Sequence, residues 1–124
     1  MVGRHEAKEW AKAHLKGLFS SPSAPFTANF ALDQAGVVKN VERVIAAGAS
    51  GVGFGFLDAW GLTIAQRKHA MDLIAETTGE RAMCAFYTAD HSVAETIISA
   101  YMPKRSARRR LSFGCLMNGR RRRT

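Results

Sequence analysis

Two short groups of polar and aromatic side chains stand where they could contact a ligand. Asp58 and Trp60 follow one apolar segment, and Asp90 and His91 follow a second one. Parallel strands of α/β enzymes present their binding residues at the carboxyl edge of the sheet. If both segments are such strands, the four residues face a substrate pocket. The alternatives are packing of Trp60 against a neighbouring helix and a solvated loop around Asp90 and His91.

Three patterns that suggest other chemistry are excluded by their spacing. The glycines of residues 51–55, GVGFG, lie within an apolar segment rather than between a strand and a helix, where a dinucleotide would need them. The run Asp-His-Ser at 90–92 is consecutive, so it cannot form a hydrolase triad. Cys84 and Cys115 are too few and too far apart for a zinc site or a disulfide framework. We therefore expect no nucleotide cofactor and no metal.

Four helices and three strands are predicted to position these groups. Residues 6–16 favour a first helix. Asp33 caps a second one, whose apolar residues recur at three- and four-residue spacing up to Gly48. Capping boxes begin the third helix at Thr63 and the fourth at Ser92. Short apolar strands are predicted before the last three helices, at residues 18–22, 51–56 and 82–87.

This order, one helix and then three strand–helix units, predicts an α/β fold with a parallel sheet and right-handed crossovers. After residue 101 the pattern ends, because Pro103 breaks the last helix and residues 102–110 have neither a helical nor a strand period. We divide the chain into a folded part, residues 1–101, and a basic, disordered tail, residues 102–124.

The net charge of +8 comes from this tail. Residues 1–101 contain nine Lys and Arg residues against all ten acids, whereas residues 102–124 contain nine and no acid. The arginine runs could bind nucleic-acid phosphates non-specifically. Aromatic side chains that would stack on bases are nearly absent from the tail. Because of its arginine runs, a small basic nucleic-acid-binding protein is the alternative function.

Four stretches of the folded part resemble the dihydrodipicolinate synthase and N-acetylneuraminate lyase family. Residues 17–26, GLFSSPSAPF, are similar to its first strand with a Thr-Pro-Phe-like ending, and residues 41–51 to its first helix and the start of its second strand. Leu-Thr at 62–63 matches the start of the next helix, and residues 88–96 occupy the place of the loop and helix start after the third strand. The resemblance implies a partial (β/α)8 TIM barrel, namely the first three βα units preceded by a short N-terminal helix.

The resemblance also implies a lyase or aldolase that acts on a 2-oxo acid through a lysine Schiff base, without a cofactor. The family's lysine lies beyond this chain, so we assign no catalytic residue. Its second strand ends in Gly-Thr-Thr-Gly-Glu, whose threonines bind the substrate carboxylate, but residues 55–61 here read GFLDAWG. We expect a divergent subgroup with a different substrate, which is bound by residues at these strand ends: Asp58, Trp60, Thr88, Asp90 and His91.

A shift of reading frame could explain the tail. Read one base back, the codons from residue 102 onward allow His-Ala-Lys-Ala-Val-Gly-Ala, which would continue the fourth helix. We therefore expect a truncated lyase that is inactive alone and that self-associates through exposed sheet edges. No apolar run approaches the roughly 20 residues that span a bilayer, and residues 1–10 lack the apolar stretch of a signal peptide. The expected location is cytoplasmic, with no membrane partner.

Overall fold

The computed structural model describes residues 4–55, 61–87, 92–101 and 110–113. In chain order the elements of this part are α1 (Arg4–His14), β1 (Phe19–Ser20), α2 (Gln34–Ala46), β2 (Gly51–Phe54), α3 (Ile64–Thr78), β3 (Met83–Tyr87), α4 (Val93–Tyr101) and β4 (Arg110–Phe113). The four helices and three strands expected from the sequence are present. Among the described residues, no helix is long and apolar enough to cross a membrane.

The strands form one parallel sheet in the order β1-β2-β3-β4. In its centre, Gly51 lies opposite Phe19 of β1 and opposite Met83 of β3. Parallel neighbours need a crossover connection, which α2 and α3 provide for the first two pairs. The predicted α/β class and the parallel sheet are confirmed.

β4 is the element that the sequence does not predict. It pairs with β3 so that Leu111 lies opposite Ala85 and Phe113 opposite Tyr87. Residues 110–113 lack the apolar run of the other strands, and their pairing depends on the open edge of β3 rather than on their own pattern. The rest of the predicted tail, residues 102–109 and 114–124, lies outside the described residues, so its disorder stays a prediction.

Side chains alternate between the two faces of the sheet. On the helix side, Val52 and Phe54 of β2 and Cys84 and Phe86 of β3 are buried. They form one core with the buried apolar side chains of the two crossover helices, which include Val37, Val41, Ala70, Met71 and Ile74. These helix positions recur at the three- and four-residue spacing seen in the sequence. Both helices contribute to the same core, so they lie on the same face of the sheet.

Hydrogen bonds fix the first turns of α2 and α3, as predicted. The Asp33 carboxylate accepts the Gly36 N–H at 3.0 Å. The Thr63 hydroxyl accepts the Gln66 N–H at 3.2 Å, and the Gln66 side chain accepts the Thr63 N–H at 2.9 Å. This reciprocal pair is a capping box. Both helices therefore begin at defined residues at the edge where the strands end.

Arg81 links α2 and α3 at the opposite edge of the sheet. Its Nη1 and Nη2 donate to the two carboxylate oxygens of Glu42 at 2.8 and 2.7 Å. It also donates to the carbonyls of Thr77 and Thr78 in the last turn of α3. The hydrogen bonds that Glu42 accepts from Arg81, together with the charge of Arg81, lower the pKa of Glu42, and the same contacts raise the pKa of Arg81.

Candidate functional site

The carboxyl ends of β1, β2 and β3 lie at one edge of the sheet because the strands are parallel. We call this the carboxyl edge; its strand ends are Ser20, Phe54 and Tyr87. α2 and α3 start from the same edge, because each follows a strand and crosses back over the sheet. Loops at this edge are where parallel α/β folds bind their ligands.

The predicted binding residues all lie outside the described residues. This holds for Asp58 and Trp60 and for Thr88, Asp90 and His91. The described residues on either side show where their segments leave and rejoin the fold. Residues 56–60 connect the carboxyl end of β2 with the start of α3, and residues 88–91 connect the carboxyl end of β3 with α4. Their direct contact with a substrate stays a prediction.

Gly55 brings the ends of β2 and β3 into close approach. Its φ is +113°, a conformation that L side chains rarely adopt, and a Cβ there would lie 2.7 Å from the Tyr87 carbonyl oxygen. A side chain at this position would therefore strike main-chain atoms of the neighbouring strand. Glycine is required here by both the backbone angle and the space.

The face of β2 turned away from the helices is lined by glycine. A Cβ on Gly53 would make only ordinary contacts, 3.7–3.9 Å, with the carbonyls of Ala85 and Ser20 and with the Ser21 side chain. At Gly51 the aromatic ring of Phe19 fills the space, and a Cβ would fall 2.1 Å from it. The sequence predicts close backbone approach along this strand. That holds at Gly55, whereas the contacts at Gly53 are ordinary and a side chain covers Gly51.

Tyr87 is a candidate binding residue that the sequence reasoning missed. It is the last residue of β3 and is 42% exposed. Because Cys84 and Phe86 point into the helix-side core, Ala85 and Tyr87 belong to the other face of the sheet, together with Gly53. A phenol can both donate and accept a hydrogen bond. The strict alternation of residues 83–87 could have identified this position.

The burial of Arg67 is the second feature that the sequence reasoning missed. Arg67 lies in the first turn of α3 and is 5% exposed, a rare degree of burial for arginine. Its neighbours Gln66 and Lys68 are polar, so the local sequence resembles a solvated helix face. The apolar residues three, four and seven positions later, Ala70, Met71 and Ile74, could have shown that residue 67 shares the buried face.

No lysine of the described residues stands on a strand. Lys39 and Lys68 are exposed on α2 and α3, as expected from the sequence, and Lys68 pairs with Asp72 at 2.8 Å. Lys104 lies outside the described residues. The described part of the chain also holds no group of three or more His, Cys, Asp or Glu side chains that could bind a metal ion. The chemistry available at the described carboxyl edge is hydrogen bonding and charge, not nucleophilic attack by an amine.

Comparison with known proteins identifies the fold through structure. No family model matches the chain, and no curated protein matches it in sequence. Solved structures do match. An N-acetylneuraminate lyase from Proteus mirabilis is 21% identical, with a TM-score of 0.67 over 73% of this chain and 31% of that one. A dihydrodipicolinate synthase is 19% identical, with a TM-score of 0.65 over 70% of this chain and 31% of its own.

The chain shares the fold of these proteins. A prophage protein of the dihydrodipicolinic acid synthase family from E. coli K12, solved in complex with pyruvate, gives the same result, with 25% identity and a TM-score of 0.65 over 69% of this chain. The resemblance to the dihydrodipicolinate synthase and N-acetylneuraminate lyase family is confirmed at the level of the fold. These structures are TIM barrels, and the open parallel sheet with its crossover helices is a partial barrel of that kind. The chain spans about 30% of the length of the structures it matches.

Proposed function

We propose that this chain provides the first strands and helices of a lyase or aldolase that acts on a 2-oxo acid through a lysine Schiff base. The observation that carries the proposal is the match of 69–73% of the chain to structures of an N-acetylneuraminate lyase, a dihydrodipicolinate synthase and a member of the synthase family in complex with pyruvate. The parallel sheet supports it, because its carboxyl edge is the part of such a fold that receives substrate.

The role proposed for the chain is to bind substrate rather than to break a bond. In Schiff-base chemistry an amine attacks the substrate carbonyl, and the resulting imine accepts electrons when the adjacent carbon bond breaks or forms. No described lysine lies on a strand. We therefore assign the amine to a part of the barrel that this chain does not span. The 124-residue chain is then inactive alone.

Substrate contacts are assigned to the segments that follow β2 and β3. They comprise the residues predicted from the sequence, Asp58, Trp60, Thr88, Asp90 and His91, together with Tyr87. Asp58 lies in the segment where the family resemblance implies threonines, which carry no charge. A negatively charged aspartate disfavours the binding of a substrate carboxylate at the same place, unless a cation balances the two charges. This difference supports a substrate other than that of the matched synthases.

The test starts with the DNA beyond codon 101. A shifted frame should encode a fourth strand and, further on, a lysine within a strand. The protein extended in that frame is then treated with pyruvate and borohydride, and its peptides are mapped by mass spectrometry. We expect a reduced adduct on the new lysine, no adduct when it is replaced by alanine, and none on the 124-residue chain. An adduct on Lys39 or Lys68, or the absence of a coding frame with such a lysine, contradicts the proposal.

Nucleic-acid binding by the tail stays a separate prediction. Its arginine runs, including Arg120–Arg123, should retain the chain on polyanions in a salt-dependent manner. Retention that required residues 1–101 or a particular base sequence would favour a selected binding function instead.

A further inference from the structure

β3 lacks the features that protect a strand at the edge of a sheet. It spans Met83–Tyr87 and reads MCAFY, with no charged residue and no proline. Its middle residues, Cys84, Ala85 and Phe86, are buried. Natural edge strands are protected by charges, by prolines or by very short length, and an uncharged apolar edge favours pairing with another chain. β3 therefore needs a neighbouring strand on each side.

The main-chain groups of β3 point alternately toward its two neighbours. The Met83 N–H donates to the Ser50 carbonyl at 3.1 Å, on the side of β2. The carbonyls next to the glycines of β2 belong to the residues two and four positions later. The residues that turn their N–H and C=O toward β2 are thus Met83, Ala85 and Tyr87. The two between them, Cys84 and Phe86, turn theirs toward β4.

β4 covers the side of β3 that faces away from β2. It pairs with β3 in parallel, from Arg110 opposite Cys84 to Phe113 opposite Tyr87. This register includes both residues of β3 whose main-chain groups face away from β2. β4 belongs to residues 102–124, which contain nine Lys and Arg residues and no acid. Because positive charge on a terminal strand disfavours edge-to-edge pairing, a basic segment takes the place of an uncharged edge.

We propose that β4 is an intramolecular cap that prevents β3 from pairing with β3 of a second copy of the chain. Two copies related by a two-fold axis would bring the same edge together, with the two strands antiparallel. The sequence MCAFY offers no like charges to oppose this contact. Antiparallel pairs are also slightly more stable per residue than parallel ones, so an uncovered β3 favours the second copy. The cap does not depend on lyase activity.

Two prolines within β4 test the cap in the full 124-residue chain. Because main-chain groups alternate along a strand, one of any two consecutive residues of β4 donates its N–H toward β3. Leu111→Pro combined with Ser112→Pro removes this donor. The matched control combines Leu116→Pro with Met117→Pro, which adds two prolines outside β4 and leaves the charge unchanged.

Amide hydrogen exchange, followed by NMR under reducing conditions at low protein concentration, measures whether β4 covers β3. In the β4 variant the amides of Cys84 and Phe86 should lose protection by about tenfold, the effect of one hydrogen bond of ordinary strength. The amides of Ala85 and Tyr87 should keep theirs, because they face β2. In the control and in the wild type all four should stay protected.

Sedimentation velocity over a range of protein concentrations measures the consequence for association. The β4 variant should form dimers with a lower dissociation constant than the control, and its Cys84 and Phe86 amides should regain protection as dimers form. Three results overturn the proposal. They are rapid exchange of these two amides in the wild type, loss of protection throughout β3 in the variant, and equal association of variant and control. The second would show that β4 is needed for folding rather than as a cap.

Discussion

Gly55 and Tyr87 set the spacing of β2 and β3 at the carboxyl edge. A Cβ on Gly55 would lie 2.7 Å from the Tyr87 carbonyl oxygen and 3.3 Å from its Cβ. The obstacle is the main chain of a paired strand, which cannot turn aside as a flexible side chain can. The segments that carry the predicted binding residues leave the sheet directly after these two positions, so their starting geometry depends on this glycine.

Gly55→Ala should destabilise the fold more than an ordinary glycine substitution. Strain at a positive φ costs on the order of 1–3 kcal/mol, and the contact with Tyr87 adds to it. The control is Gly48→Ala, because Gly48 has a φ of +89° but nothing within 4 Å of the added carbon. Urea unfolding of both variants separates strain from collision. Equal losses would show that the collision relaxes without cost.

Phe86→Ala should be among the most damaging single substitutions. Phe86 is 0% exposed in the centre of the core, and replacement of a buried phenylalanine by alanine costs about 3–5 kcal/mol. Phe30→Ala provides the contrast, because Phe30 is 84% exposed and its removal should change stability by no more than about 0.5 kcal/mol. Thermal unfolding monitored by circular dichroism compares the two. A loss in Phe30→Ala as large as that in Phe86→Ala would mean that the loop bearing Phe30 packs against another surface.

The helices were predictable because their signals are local. The Asp33 cap and the Thr63–Gln66 capping box involve residues three apart in sequence, and the valines of α2 show its buried face. β2 and β3 were predictable from short apolar runs. β4 was not, because residues 110–113 have no such run and become a strand only by pairing with β3.

The predicted binding residues and Arg67 show the same division. Their segments follow from the positions of the strand ends, which the sequence indicates. The burial of Arg67 does not follow from its immediate neighbours, because Gln66 and Lys68 are the residues of a solvated helix. It arises from the packing of α3 on the sheet, a tertiary property that only the more distant apolar positions reveal.

Glu42→Gln should remove an acid-dependent part of the stability. Arg81 lowers the pKa of Glu42 from 4.5 in the folded state. The Glu42–Arg81 pair therefore stabilises the fold at pH values above the pKa that Glu42 has in the unfolded chain. This contribution is lost as the pH falls through the lower pKa that Glu42 has in the folded state. Urea midpoints at neutral pH should be lower for the variant than for the wild type, and the two should converge in acid. Glu76→Gln, an exposed change on α3, serves as the control. A constant difference between wild type and Glu42→Gln at all pH values would contradict this account.

The self-association expected from the sequence should involve α4 as well as the sheet edge. Pairing with β4 covers the edge of β3, so β1 and β4 are the terminal strands of the described sheet. On α4, Val93 is 78% exposed, and Ile97 and Ile98 are each 52% exposed. Val93 and Ile97 are four residues apart, so they form one apolar stripe along the helix. Contiguous exposed apolar surface of this kind favours contact with another protein surface.

Ile97→Lys should reduce association, because a charged side chain in the stripe would have to be desolvated at the contact. Ala94→Lys introduces the same charge on the same helix, next to the stripe rather than replacing one of its members, and should have a smaller effect. Sedimentation velocity over a range of protein concentrations measures both. Equal effects of the two lysines would indicate charge repulsion instead of a contact through the stripe, and a wild-type chain that is monomeric at every concentration would show that neither α4 nor β1 drives association.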